Sequence, residues 1–348
     1  MRILDPVGTP HGTSFWTPAI ATRYAWVAHG RVPEASPELM AAPRTTRAAS
    51  HALLIEPVNF RFNRETEATN AFQVDLPAEE AATLSALAVE QHHQLRDLLV
   101  GAGVTITLAR SLATSPDAPF CNNWFSTHPA DGRAPATLVL YPLMAENRRI
   151  ERRGDLVALI QPGYSRVLDL SPNEQRARFL ESTGSLVLDH ETRAAYAALS
   201  PRTDLSLATE WADALSYDLV AFRATDRDGI PFYHTNVLMF IGHGLAGICL
   251  ESIAAPAERK AVEDRLRADH REILPLTQEQ TLNFCGNCLA LSAGDGTPLW
   301  VMSSQAYRHF SPADRAVLEK HGRILHTELS AFEQLGGGSA RCLIAELF

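Results

Sequence analysis

Cysteine-dependent hydrolysis needs a thiolate, an imidazole that moves protons and an acidic group that orients the imidazole. The sequence offers a candidate for each. Cys342 follows Gly336, Gly337 and Gly338, whose backbone can take positive φ and approach a ligand closely, and apolar residues come after it. It reads as a nucleophile presented by a glycine-rich loop or, more plainly, as a small buried cysteine, a common setting for a free thiol. His234 stands at the mouth of an expected strand and Glu181 at the entry to another. The chain has 13 histidines, so one alone is a weak signal, and His128 and His243 compete with it. The plain alternative for Glu181 is a helix end. Arg149 and Arg202 lie at element ends beside strands, and a planar guanidinium can hold a carboxylate through two parallel hydrogen bonds. Most of the crowded run 148–153 must be solvated or ion-paired, which weakens each of its members. Cys285 and Cys288 form a Cys-x-x-Cys pair. No second pair completes a zinc site and no thioredoxin-like pattern surrounds it, so two small buried residues are the better reading.

Positioning such groups takes a scaffold, and the periodicity supplies one. Strands are expected over 52–58, 104–108, 136–141, 156–160, 186–188, 219–223, 237–242, 246–250, 287–292 and 299–302. Helices are expected over 78–101, 173–180, 191–198, 205–215, 256–270, 278–284 and 311–321, with a further one to 332. Alternation of this kind is α/β. No Gly-x-Gly-x-x-Gly follows the first strand, which weighs against a dinucleotide fold. Residues 1–50, broken by Pro6, Pro10, Pro18, Pro33, Pro37 and Pro43, read as an irregular arm. Residues 51–348 contain no sharp linker and read as a single catalytic domain.

At 348 residues and 46% hydrophobic, the chain can bury a large core. A net charge of −9 and a pI near 5.8 leave no basic field to gather nucleic-acid phosphates or anionic lipid. No apolar run approaches the length of a membrane span, and the first residues lack the layout of a signal peptide. Five scattered cysteines fit reduced thiols in the cytoplasm. The expected partner is a small molecule; oligomeric state, a homo-oligomer included, is left open.

Several blocks in one order resemble a known pattern. They are Pro57-x-x-Phe60-x-x-Asn63, Asn70-Ala71-Phe72-Gln73, Asn122-Asn123-Trp124-Phe125-Ser126-Thr127-His128 and the run Asn147 to Arg153. Gly184 to Asp189, Ser200-Pro201-Arg202-Thr203-Asp204, Tyr233-His234-Thr235-Asn236-Val237 and the terminal Gly-Gly-Gly-Ser-Ala-Arg-Cys complete the set. Together they look like the guanidino-group-modifying, or amidinotransferase, superfamily, which includes arginine deiminase and dimethylarginine dimethylaminohydrolase. The nearest branch is similar to bacterial citrulline-utilization hydrolases.

The resemblance implies a five-bladed pseudo-symmetric α/β-propeller, the pentein fold, with its active site in the central channel. It implies Cys342 as nucleophile, His234 as general acid/base and Glu181 as their acidic partner. Glu181-Ser182-Thr183-Gly184-Ser185 departs from the family's acidic glycine block, so Asp189 remains a rival. Arg149 and Arg202 are similar to the family's binders of the substrate carboxylate. Asp117 matches an acidic residue that meets the amine end. No metal and no organic cofactor is implied.

One departure carries specificity. Asn122 and Asn123 stand where guanidine-processing members carry an acidic residue, and Asn236 stands where arginine deiminases read His-x-Asp. A guanidinium is cationic and only donates hydrogen bonds, whereas a ureido group is neutral and also accepts. An amide suits the second; a buried carboxylate without its cation is costly. The expected reaction is therefore hydrolysis of citrulline to ornithine, carbon dioxide and ammonia through an S-carbamoyl cysteine. A guanidine hydrolase is the first alternative, with an amidinotransferase and an inactive amino-acid-binding relative behind it.

Overall fold

The computed structural model describes the backbone of residues 24–27 and all of residues 48–269 and 271–348. Of the N-terminal arm, residues 1–23 and 28–47 lie outside the described residues. The strands run in chain order as β1 (Tyr24–Val27), β2 (His51–Glu56), β3 (Thr105–Arg110), β4 (Phe125–His128), β5 (Thr137–Leu140) and β6 (Arg166–Asp169). They continue as β7 (Val187–Asp189), β8 (Ala194–Ala198), β9 (Asp218–Phe222), β10 (Met239–Gly242) and β11 (Leu245–Ile248). The last are β12 (Glu272–Pro275), β13 (Leu289–Ser292), β14 (Pro298–Ser303), β15 (Arg323–Thr327) and β16 (Ala345–Glu346).

These strands form small mixed sheets that repeat one pattern. In β4-β5-β6 the first pair is antiparallel and the second parallel. The same holds for β7-β8-β9, β10-β11-β12 and β13-β14-β15. The remaining sheet repeats it out of chain order. β16 is antiparallel to β2, with Ala345 opposite Leu53, and β2 is parallel to β3. That sheet also gains β1, parallel to β3, at its other edge. A parallel pair cannot be joined by a tight turn, and helices supply several crossovers: Ala78–Gly101 links β2 to β3, Leu205–Leu215 links β8 to β9, and Pro256–Ala268 links β11 to β12.

The core is apolar side chains between sheets and crossovers, with Trp124, Trp211 and Trp300 all buried. Among the described residues, no helix is long and apolar enough to cross a membrane.

Several stretches differ from expectation; of residues 173–180, read as a helix, only the end of the short turn Ser171–Arg176 is helical. Residues 154–160 are a helix, not a strand: Leu156 and Ile160, at i and i+4, are the buried positions, which is helical spacing. Ala194–Ala198 is a strand although its alanines favour a helix; all five residues are buried between β7 and β9, and small side chains fit a strand covered on both faces. Between the expected helices ending near 321 and 332 lies β15, paired parallel with β14.

The repeat also places short helical turns just before the first strand of a sheet. Cys121–Asn123 precedes β4, Ser182–Ser185 precedes β7, Thr235–Val237 precedes β10 and Ala340–Leu343 precedes β16. Gly286 and Asn287 hold the corresponding place before β13. Side chains and backbone link these turns in a ring. Asn122 Nδ2 donates to Thr183 Oγ1 at 3.2 Å and Asn236 Nδ2 donates to the Thr183 carbonyl at 3.0 Å. Asn287 Nδ2 donates to the Asn236 carbonyl at 2.9 Å, and the Arg341 amide donates to the Asn287 carbonyl at 3.3 Å. The Cys121 thiol, 3.8 Å from the Leu343 carbonyl, closes the circle.

Candidate active site

Cys342 sits on the turn Ala340–Leu343 and is 3% exposed. The approach to it is pinned from several sides. Gly337 takes φ +62°, and a Cβ there would stand 2.7 Å from Asn70 Oδ1, so both conformation and space require glycine. Its carbonyl accepts from Tyr233 Oη at 2.6 Å. Ser339 Oγ donates to the buried Glu333 carboxylate at 2.7 Å. The sulfur faces two amides, with Asn287 Nδ2 at 3.3 Å and Asn236 Oδ1 at 3.8 Å. Burial pushes the thiol pKa up and the Asn287 hydrogen bond opposes this; the resting group is a thiol.

His234 directly precedes the turn Thr235–Val237 and is 1% exposed. Its Nε2 meets Glu181 Oε2 at 2.9 Å. Burial holds the imidazole below its ordinary range, against the pull of that carboxylate, so it is neutral at rest. Burial alone would raise the Glu181 carboxyl, yet the Arg202 guanidinium and the His234 bond keep it well below the usual carboxylate range. Glu181 Oε1 accepts from the Met144 amide at 2.9 Å. Gly184 lies against this pair: a Cβ there would stand 2.6 Å from both His234 Cε1 and Asn123 Nδ2.

Cys342 and His234 border a small polar pocket, with Thr66, Asn70, Asp117, Asn123, Arg148, Arg202 and Tyr233 on its other walls. Arg148 is fully buried and bidentate on Glu151, at 2.9 Å to each oxygen. Its Nη1 donates to Asn123 Oδ1 at 3.0 Å. A guanidinium only donates, so that bond fixes which Asn123 atom is oxygen and turns the amide nitrogen to Asn122 Oδ1, 3.1 Å away. Asp117 Oδ2 accepts from Asn63 Nδ2 at 2.7 Å, while its buried Oδ1 has no hydrogen-bond partner among the described residues. Burial raises the Asp117 pKa, opposed by Arg148. Arg202 lies over the Tyr233 ring at 5.1 Å and donates to Thr69 Oγ1 and the Thr66 carbonyl.

The structure thus brings Cys342, His234, Glu181, Asp117, Asn122, Asn123, Arg202 and Asn236 into one centre. It does not bring Arg149 there. Arg149 points to the surface side, where it meets the Leu143 carbonyl at 3.3 Å and Glu174 at 3.4 Å. Arg148 occupies the cavity wall instead. Both lie on the tight turn Glu146–Glu151, where three residues make a turn and neighbours face different ways. Asp189 is not near His234 either; it is bidentate on Arg271. That pair lines a separate, larger pocket that Asn236 also borders. Sequence reasoning passed over Arg148, Tyr233 and Asn287. The signal for Arg148 was present in the arginine run, but nothing in it reports burial. Cys285 and Cys288 are buried, and each thiol faces a backbone carbonyl.

A family model described as N,N dimethylarginine dimethylhydrolase, eukaryotic, matches residues 56–348. The chain belongs to this family. With it the chain joins the pentein, guanidino-group-modifying superfamily. Solved structures agree at the level of fold. The apo structure of ArgZ, an arginine dihydrolase from the ornithine–ammonia cycle in cyanobacteria, is similar at TM-score 0.66 and 19% identity, over 85% of this chain and 40% of that one. Unliganded AgrE is similar at TM-score 0.67 and 19% identity, over 86% of this chain and 39% of that one. A dimethylarginine dimethylaminohydrolase variant in adduct with S-methyl-L-thiocitrulline gives TM-score 0.57 and 15% identity, over 86% and 99% of the two chains. The chain thus spans about two-fifths of full-length ArgZ and AgrE. No curated protein matches it significantly.

Proposed function

We propose that this member of the dimethylarginine dimethylhydrolase family hydrolyses the ureido head of a citrulline-like amino acid. The observation that carries the reading is the chemistry around the thiol. Asn236 and Asn287 face the sulfur, and Asn123 lies beside the imidazole. The carboxylate at that end, Glu181, is committed to His234, the Met144 amide and Arg202. Such a setting has amide donors and acceptors for a neutral ureido group and no free carboxylate to balance a guanidinium. Asp117 Oδ1, uncommitted and buried, suits the α-ammonium; Arg148 and Arg202 suit the α-carboxylate.

In this scheme the resting thiol and the neutral imidazole are matched. Cys342 Sγ attacks the ureido carbon while His234 takes its proton. The imidazolium, stabilised by Glu181, then protonates the δ-nitrogen as its bond to carbon breaks. Ornithine leaves and an S-carbamoyl cysteine remains. His234 next removes a proton from water as it attacks the carbamoyl carbon, and the thiol is restored. Carbamate decays to carbon dioxide and ammonia. The repeated sheet pattern supports five units around one axis, with the five short turns meeting at this centre.

A second reading is hydrolysis of arginine or a methylated arginine, favoured by the substrate named in the family's description and by the arginine dihydrolase ArgZ. The test supplies citrulline, arginine and dimethylarginine separately and quantifies ornithine, citrulline and ammonia, with Cys342→Ala as control. Ornithine from citrulline supports the ureido reading. Turnover of the guanidines alone refutes it in favour of the second. Undiminished turnover by Cys342→Ala removes the thiol from both.

A further inference from the structure

We propose that Asn287 is a positioning residue that holds the sulfur of Cys342 and stabilises its thiolate. The orientation of its amide is fixed by geometry. Asn287 Nδ2 lies 2.9 Å from the Asn236 carbonyl, which can only accept, so the NH₂ group faces that way. One hydrogen serves the carbonyl. The other is left for Cys342 Sγ at 3.3 Å or Asn236 Oδ1 at 3.4 Å. Asn287 is 1% exposed, its main-chain carbonyl accepts from the Arg341 amide, and it cannot swing to solvent.

Asn236 is fixed with the opposite polarity. Its Nδ2 donates to the Thr183 carbonyl at 3.0 Å, which turns Oδ1 toward the sulfur, 3.8 Å away. The thiol therefore has an acceptor for its hydrogen on one side and a donor aimed at sulfur on the other. A hydrogen bond to an ionised acceptor is stronger than one to a neutral acceptor, so the donor's effect grows as the proton leaves. Charged and titratable groups also face this site. Arg341, on the same turn, is paired with Glu346; Tyr233 and His234 lie beside the thiol; Asp117, Arg148 and Arg202 lie across the cavity. Among the described residues, Asn287 is the side-chain donor hydrogen-bonded to the sulfur, and the neutral His234 provides no fixed positive charge.

The inference rests on the proposed function only in calling Cys342 the nucleophile, and its test does not use substrate. Cys342 is alkylated with iodoacetamide across a pH series, and modification of the Cys342 peptide is followed by mass spectrometry in the full chain. Asn287→Ala removes the donor. Asn287→Asp keeps the shape and replaces the donor by an acceptor. Asn287→Ser retains a shorter donor. Thermal unfolding identifies which variants fold. The expected result is a pH midpoint raised by about one to two units in Asn287→Ala, which makes alkylation about ten- to hundredfold slower below the midpoint. Asn287→Asp shifts it further, and Asn287→Ser shifts it less. A folded Ala or Asp variant with the wild-type midpoint overturns the proposal. If only Asn287→Ser folds, a midpoint equal to wild type supports the donor and a shift as large as one to two units refutes it. Loss of the nucleophile reading would appear separately, as turnover by Cys342→Ala.

Discussion

Gly184→Ala is the most direct perturbation of the centre. The added methyl carbon would stand 2.6 Å from His234 Cε1, 2.7 Å from His234 Nδ1 and 2.6 Å from Asn123 Nδ2. Ordinary contact begins near 3.4 Å, so both side chains must retreat by about 0.8 Å. Neither has an easy path. His234 is held by Glu181, and Asn123 is held by Arg148 and Asn122. Overpacking of this kind costs about 1–3 kcal/mol, and displacing a reacting group by about 1 Å costs about 100-fold in rate. The expected variant is folded, somewhat less stable, and about 100-fold slower in kcat. Steady-state ammonia release from the substrate that wild type turns over measures the rate, and urea unfolding measures stability. A folded Gly184→Ala enzyme within threefold of wild type would refute the reasoning, since it would mean that His234 and Asn123 need not stay where they are.

Glu181→Gln removes the charge that, in the proposed mechanism, stabilises the His234 imidazolium; kcat should fall by about 10²- to 10⁴-fold, and a loss below tenfold in a folded variant would contradict that role. Arg148→Lys sacrifices the bidentate fork on Glu151 and the bond to Asn123, and should raise KM by about ten- to hundredfold, whereas Arg149→Ala should leave KM within about threefold; equal effects would undo the distinction drawn between these neighbours. Acid should destabilise the fold from near pH 6.5 downward. His92, His128 and His234 are fully buried and their folded pKa values are lowered by burial, to about 3 for His92 and about 4 for His234, so the unfolded chain binds protons that the folded chain refuses. Each therefore withdraws about 1.4 kcal/mol of stability per pH unit between its unfolded and folded values. Buried Glu151, whose pKa burial raises to about 7, acts in the opposite direction; urea midpoints at pH 7, 6 and 5 should still fall in that order, and a flat or rising series would refute the histidines as the dominant pH-linked groups.

Much of the centre was legible because chemistry-bearing residues stand in short blocks next to strands. His234 directly precedes the turn before β10 and Asn236 lies within it, Asn122 and Asn123 belong to the turn before β4, and Cys342 belongs to the turn before β16. What escaped depends on facing and burial. Arg148 and Arg149 are identical in type and adjacent, so only the three-residue turn decides which enters the cavity. Asn287 reads as the first residue of a strand; its role comes from meeting a sulfur supplied by a distant part of the chain. The misread stretches have the same origin. Ala194–Ala198 has helical composition and a strand's surroundings, and burial on both faces outweighed alanine's preference. The order of helices and strands conveyed α/β, but it could not convey that β16 returns to complete the sheet begun by β2.

That return predicts a late step in assembly. The sheets β4-β5-β6 to β13-β14-β15 are each made from neighbouring chain and can form locally, while the pairing of Ala345 with Leu53 spans nearly the whole described fold. Contacts of such sequence separation bear the largest loop-closure entropy, so this pairing is expected to form last. Until β16 docks, β2 presents an open edge, and the sulfur has neither Asn287 nor Asn236 beside it. The proposed nucleophile, Cys342, thus travels on the clasp of the ring. During refolding, protection of the Cys342 thiol from alkylation together with recovery of turnover would report the final closure, and an interrupted chain that has formed every other sheet would keep an exposed thiol and show no turnover.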